Sequence, residues 1–152
     1  MKQLTFIALI LTTGLFHACS ICGAVDCDTD NYNGQFRIVS ATDGSDLLFG
    51  PTRIYDKNLI KFYTLEDTDT TFLDFQPTDF GNALRDSILD VNFFPVRETA
   101  FMRLSDGDVD TFHISYNLFQ SKCCGTIVEI ANFKFNNTVD IPGNSGILKI
   151  MK

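Results

Sequence analysis

The sequence predicts an all-β fold, an antiparallel β-sandwich of about eight strands. Three observations predict it. Phenylalanine is abundant, 15 residues in 152, and with Thr, Ile and Val it favours pleated strands. Among the 19 acidic residues only Glu66, Glu98 and Glu129 are glutamates; the others are aspartates, which bond to their own backbone and favour turns. Turn signals recur every 8 to 12 residues or so, a spacing that makes the expected sandwich immunoglobulin-like. No run of roughly 10 to 15 residues has a helical period, which excludes a βαβ layout.

The elements follow in order. Residues 1–18 read as an export signal. Met1-Lys2 is a short positive start, and Leu4 to Phe16 is apolar apart from Thr5, Thr12 and Thr13. That run is shorter than the roughly 20 apolar residues of a membrane span. It ends in Phe16-His17-Ala18-Cys19, which resembles a bacterial lipobox. Ala18 matches that motif; His17 and Phe16 depart from its usual small residue and leucine. The resemblance implies cleavage before Cys19 and a lipid on its thiol. More than one acyl chain is then needed for stable anchoring. Cleavage as an ordinary signal, for example after Ala24, is the alternative.

Residues 19–35 are expected to form an acidic tether without periodicity, and residues 36–152 the sandwich. Phe36 and Ile38 alternate with Arg37 and Val39 as a first strand, closed by an Asp43-Gly44 turn. Asp46 to Phe49 and Arg53 to Tyr55 flank a break at Gly50-Pro51. Asn58 to Leu65 and Thr71 to Phe75 are strands, the second closed by Gln76-Pro77. Thr78 to Asp86 has no clean period and holds at most a helical turn around Ala83-Leu84. Ser87 to Phe94 ends at Pro95, and Thr99 to Ser105 meets a hairpin signal at Asp106-Gly107. The clearest alternation follows, with Phe112, Ile114 and Tyr116 inward and Thr111, His113 and Ser115 outward. Gly125 to Phe135 continues it and turns at Asn136-Asn137. Pro142-Gly143-Asn144 is a loop, and Ile147 to Met151 is the last strand.

The net charge of −7 becomes one unit more negative if Lys2 leaves with the signal. Such a chain has little to offer phosphates, so nucleic acid is not an expected partner. The expected partners are the lipid bilayer, through acylated Cys19, and an envelope protein carrying basic groups.

Export would place the thiols in an oxidising compartment, where they pair. With Cys19 lipidated, Cys22, Cys27, Cys123 and Cys124 remain, an even set. Adjacent Cys123 and Cys124 would strain a ring between themselves, so each is expected to reach back to the tether. The preferred bridge joins Cys27 to one of them and Cys22 to the other; the pairing order stays open. Closing a loop of about 100 residues stabilises by roughly 4 kcal/mol in the entropic account. Zinc is disfavoured because Cys123-Cys124 has no ligand spacing and no nearby histidine.

Other motifs have plainer readings. Asp26-Cys27-Asp28-Thr29-Asp30 starts like a calcium loop, but Asn31 and Arg37 stand where glycine and glutamate are needed. Asp106-Gly107-Asp108-Val109-Asp110 is expected to be a hairpin rather than a calcium cage. His113 is expected to be an exposed strand residue; Asp110 and Ser115 are its neighbours, but there is no Gly-x-Ser-x-Gly elbow. Asn136-Asn137-Thr138 is a formal glycosylation sequon. Asp69-Thr70-Thr71 and Asp86-Ser87-Ile88 match a short O-glycosylation pattern. No cofactor or metal is expected, and no acid is expected in an apolar aromatic setting with a sugar-stacking Trp, as carboxylate pairs for glycoside cleavage would favour.

The layout resembles the small uncharacterised lipoproteins of the Bacteroidota. The likeness rests on the lipobox cysteine, Asp26-Cys27-Asp28-Thr29 in the tether, the strand Asp110 to Tyr116, and Cys124-Gly125 after it. It implies an outer-membrane envelope lipoprotein with no catalytic residue to carry over. The expected role is non-catalytic binding or scaffolding. A small hydrolase using Asp carboxylates and a carrier of a hydrophobic ligand are the rival readings; the carrier requires a Phe-lined cavity.

Overall fold

The alternation from Phe112 to Tyr116 is realised in a computed structural model that describes residues 22, 27, 31–79, 88–136, 138, 140–143 and 146–152. Cys19, the lipobox, most of the tether and the stretch around Ala83-Leu84 lie outside the described residues. Ten strands and no helix occur among those described: β1 (Asn33–Val39), β2 (Lys61–Glu66), β3 (Asp69–Phe72), β4 (Phe75–Thr78), β5 (Ile88–Asn92), β6 (Thr99–Ser105), β7 (Asp108–Ser121), β8 (Gly125–Phe135), β9 (Asp140–Pro142) and β10 (Ile147–Met151). The chain divides into two compact units, one of Met1–Asp30 with Leu118–Ile127, the other of Asn31–Asn117 with Val128–Lys152.

The larger unit is a sandwich. One sheet has the order β10-β1-β5-β4 and the other β3-β2-β6-β7-β8-β9. The strand pairs whose register is described are antiparallel except β1 with β10, which run parallel with Gln35 opposite Ile147 and Val39 opposite Met151; an isolated bridge between Asn31 and Glu129 is parallel too. A parallel neighbour cannot be reached by a hairpin. It had no local sequence signal for that reason.

The two sheets meet through aromatic rings. Phe36 of β1 lies 5.0 Å from Phe112 of β7 and 5.4 Å from Phe133 of β8. Phe62 of β2 lies 5.2 Å from Phe75 of β4. Phe36, Phe62, Phe93, Phe112 and Phe133 are each about 1% exposed. Burying each ring stabilises by roughly 1.5–3 kcal/mol before entropy is counted. Gly34 belongs to this packing. A Cβ there would sit 2.8 Å from the ring tips of both Phe36 and Phe133, so a larger residue would displace them.

Several elements start or stop elsewhere than expected. β1 begins at Asn33, so the last residues assigned to the tether are strand. Pro77 does not close a strand. It lies within β4 opposite Leu89, at a sheet edge where a missing N–H is tolerated. Asp46 to Phe49, ahead of the expected break at Gly50-Pro51, is a buried turn. The Asp46 carboxylate accepts hydrogen bonds from the amides of Leu48 and Phe49, both at 2.8 Å, and its other oxygen lies 3.6 Å from the Arg37 guanidinium.

The smaller unit contains the far ends of β7 and β8. Cys22 is bonded to Cys123 and Cys27 to Cys124, which settles the pairing order. Both vicinal amides, of Cys123 and Cys124, point to Ser121 Oγ at 3.3 and 3.2 Å. Gly125 then takes a φ of 71°, a left-handed conformation suited to glycine.

Candidate functional site

Strand β10 alternates in burial: Leu148 and Ile150 face inward, Ile147, Lys149 and Met151 outward. Its inward residues reach the Phe core, and β1 occupies one of its edges. Its other edge carries no strand among the described residues. In the facing sheet the edge strand is β9. Between these two edges lies a cleft of about 340 Å³. Its floor is Phe36, Phe112 and Phe133, with Phe135 and Ile141 on one wall and Leu148 and Ile150 on the other. That volume is at the lower end of the roughly 300–1,000 Å³ found for ligand sites.

A polar group adjoins the cleft through Asn136. Asn136 lines the cleft with Thr138, and its backbone is left-handed at φ 45°, which asparagine tolerates. The Asn136 amide donates to Asp110 Oδ1 at 2.6 Å, and its own Oδ1 accepts from the Thr111 N–H at 2.8 Å. The Lys152 ammonium lies 2.6 Å from Asp110 Oδ2 and 2.5 Å from Asp108 Oδ1. The Tyr55 hydroxyl donates to Asp108 Oδ2 at 2.7 Å. Asp110 is only 2% exposed. Asp110 is thus a buried acid held by polar partners, with no sugar-stacking Trp beside it. Strand alternation places Asp110 on the same inward face as Phe112, and Lys152, next in chain after β10, supplies its countercharge.

The electrostatics follow from these contacts. Burial works against the Asp108 carboxylate, but hydrogen bonds from Lys152 and Tyr55 outweigh it and hold its pKa below the usual 3.8. Burial likewise works against the Lys152 ammonium, but Asp108 and Asp110 outweigh it and raise its pKa. Burial and the bond to Asp108 push the Tyr55 hydroxyl up to about 12. The group is a lock of one ammonium and two carboxylates, its charges turned on one another and on fixed donors.

The other sequence candidates are scattered. Asp106-Gly107 forms the β6–β7 hairpin. His113 is exposed on β7, with Thr99 Oγ1 3.5 Å from its Nδ1. Asp69 to Thr71 lie on exposed β3, whereas Asp86-Ser87 and Asn137 fall outside the described residues. Among the described residues no three His, Cys, Asp or Glu side chains form a group that could hold a metal. Sequence reasoning did not find the cleft or the Lys152 lock. The inward parity of Asp110 with Phe112 and Ile114 was a signal for the lock.

No protein-family model, curated protein or solved structure matches the chain.

Proposed function

We propose that the chain is an envelope lipoprotein, anchored to the outer membrane through acylated Cys19, whose sandwich binds an extended segment of another envelope protein and catalyses no reaction. One observation carries the binding reading: the open edge of β10 lies directly beside the Phe-floored cleft. An edge strand offers unpaired N–H and C=O groups, and a neighbouring apolar slot takes alternate side chains of an added strand. The partner segment would alternate apolar and polar residues. Export is supported by the two disulfides, which persist in oxidising compartments. The non-catalytic reading is supported by the state of the buried acids. Asp110 is matched by Lys152, and Asp46 accepts backbone amides.

A photocrosslinking residue at Met151, on exposed β10, tests the partner reading in intact cells. The expected product is a single envelope protein crosslinked through an alternating apolar segment. The same probe at Gln76 on β4 should give none. Crosslinking to a lipid or another small apolar molecule would instead favour the carrier reading. For the anchor, Cys19→Ala should abolish acylation as read by intact mass; an acylated variant would overturn it.

A further inference from the structure

We propose that the outward face of β3, β2 and β6 binds an acidic saccharide. Register puts Phe72, Tyr63 and Phe101 in one row across these strands. The adjacent row pairs Lys61 directly with Arg103. Like charges placed opposite each other destabilise a strand pair. Neither cation makes an ion pair with a carboxylate among the described residues, although the chain has 19 acids and 12 bases. Lys61 instead lies 5.2 Å from the centre of the Phe72 ring. Two cations held together on an acidic protein, beside exposed rings, make a place for an anion with an apolar face.

The face has shape as well as charge. A groove of about 370 Å³ runs between the two cations, Tyr63, Phe72, Leu65 and Thr70. Phe101 stacks on Tyr63 at 5.3 Å and 20° and lies outside the groove, so it backs the Tyr63 ring and fixes it. Phe72 is 61% exposed. Tyr63 and Phe72 stand 6.3 Å apart at 64°. Rings so close and so inclined leave no parallel slot for an inserted nucleobase. They suit a sugar laid across them, with its C–H face on the rings and hydroxyls towards Thr70 and the Tyr63 hydroxyl. Its carboxylate or sulfate would then reach Lys61 and Arg103. Arg103 offers the planar fork that matches such groups.

Affinity electrophoresis of the purified, disulfide-bonded protein tests this. The gels contain polygalacturonate, dextran sulfate or neutral dextran. Retardation is expected with one or both polyanions and none with dextran. Lys61→Gln with Arg103→Gln should abolish it, and Phe72→Ala should weaken it by about tenfold. Phe72 and Lys61 are exposed, so unchanged melting temperatures should show that these variants fold. The proposal is overturned by an absence of retardation with either polyanion. It is equally overturned if Phe72→Ala binds like the parent, which would mean simple ion exchange. Binding to phosphatidylglycerol vesicles without binding to either polyanion would assign the face to a membrane and overturn it too.

Discussion

Strand β4 forms one edge of the four-stranded sheet and β10 the other. β4 has four residues, includes Pro77, and packs Phe75 against Phe62. β10 has five residues and no proline, exposes Ile147 and Met151, and borders an unfilled apolar cleft. Its only charge is Lys149 on the outer face. A proline or a charge at a sheet edge discourages further pairing. Among the described residues, proline and a ring packed beneath it mark the β4 edge, while β10 carries one lysine on its outer face and borders an apolar cleft.

Four measurements would break or sharpen this contrast. The largest effect belongs to the cleft floor. Phe133→Ala should destabilise by about 3 to 5 kcal/mol in chemical denaturation, since the ring is buried among other rings. Phe75→Ala beneath β4 should cost less, because Phe75 is only partly buried. A larger loss at Phe75 would reverse the ranking of the two edges.

The lock beside the cleft comes next. Asp110→Asn should cost about 3 kcal/mol, because it leaves the Lys152 ammonium without its buried partner. Asp108→Asn should cost less, as Asp108 is more exposed. Equal effects would mean that burial does not set the strength of the pair.

A pH profile of stability reads the same lock. The pKa of Asp108 is lowered on folding, so its contribution is present above the usual value of 3.8 and is lost as pH falls through the lower folded value. Lys152 and Tyr55 are raised. Their contributions are intact below the ordinary values of 10.5 and 10.0, and are lost as pH rises through the folded ones, for Tyr55 about 12. Stability should be flat between the two limbs as far as these groups are concerned. Lys152→Met should shrink the acid limb; an unchanged limb would show that other carboxylates control it.

The smallest effect is expected at Pro77. Pro77→Ala should change stability by no more than about 1 kcal/mol, since it acts mainly on the unfolded chain. It should also restore an N–H to the β4 edge. Self-association of this variant at high concentration, by sedimentation, would show that proline keeps that edge closed.

Much of the fold could be read from local pattern. Thr99 to Ser105 and Ile147 to Met151 match β6 and β10 in full, and β7 keeps the predicted parity of Phe112, Ile114 and Tyr116. These strands announce themselves because inward and outward residues differ in polarity and sharp turns bound them. The parallel partnership of β1 and β10 was hidden because nothing local encodes a neighbour at such separation. The cleft was hidden for a related reason: Phe36, Phe112 and Phe133 read as core whether or not another strand completes it. The cysteines were readable as a set. Their order was not, since Cys123 and Cys124 are adjacent and either could meet either partner.

The parallel pairing of β1 with β10 also has a consequence in time. Among the described strands β1 is synthesised first and β10 last, with the others between them. One flank of β1 can pair with β5 as soon as that strand exists, but the other must wait. The nascent domain therefore has to carry an unpaired flank of β1 until β10 appears. Non-local closures of this kind are slow and leave intermediates prone to misassociation.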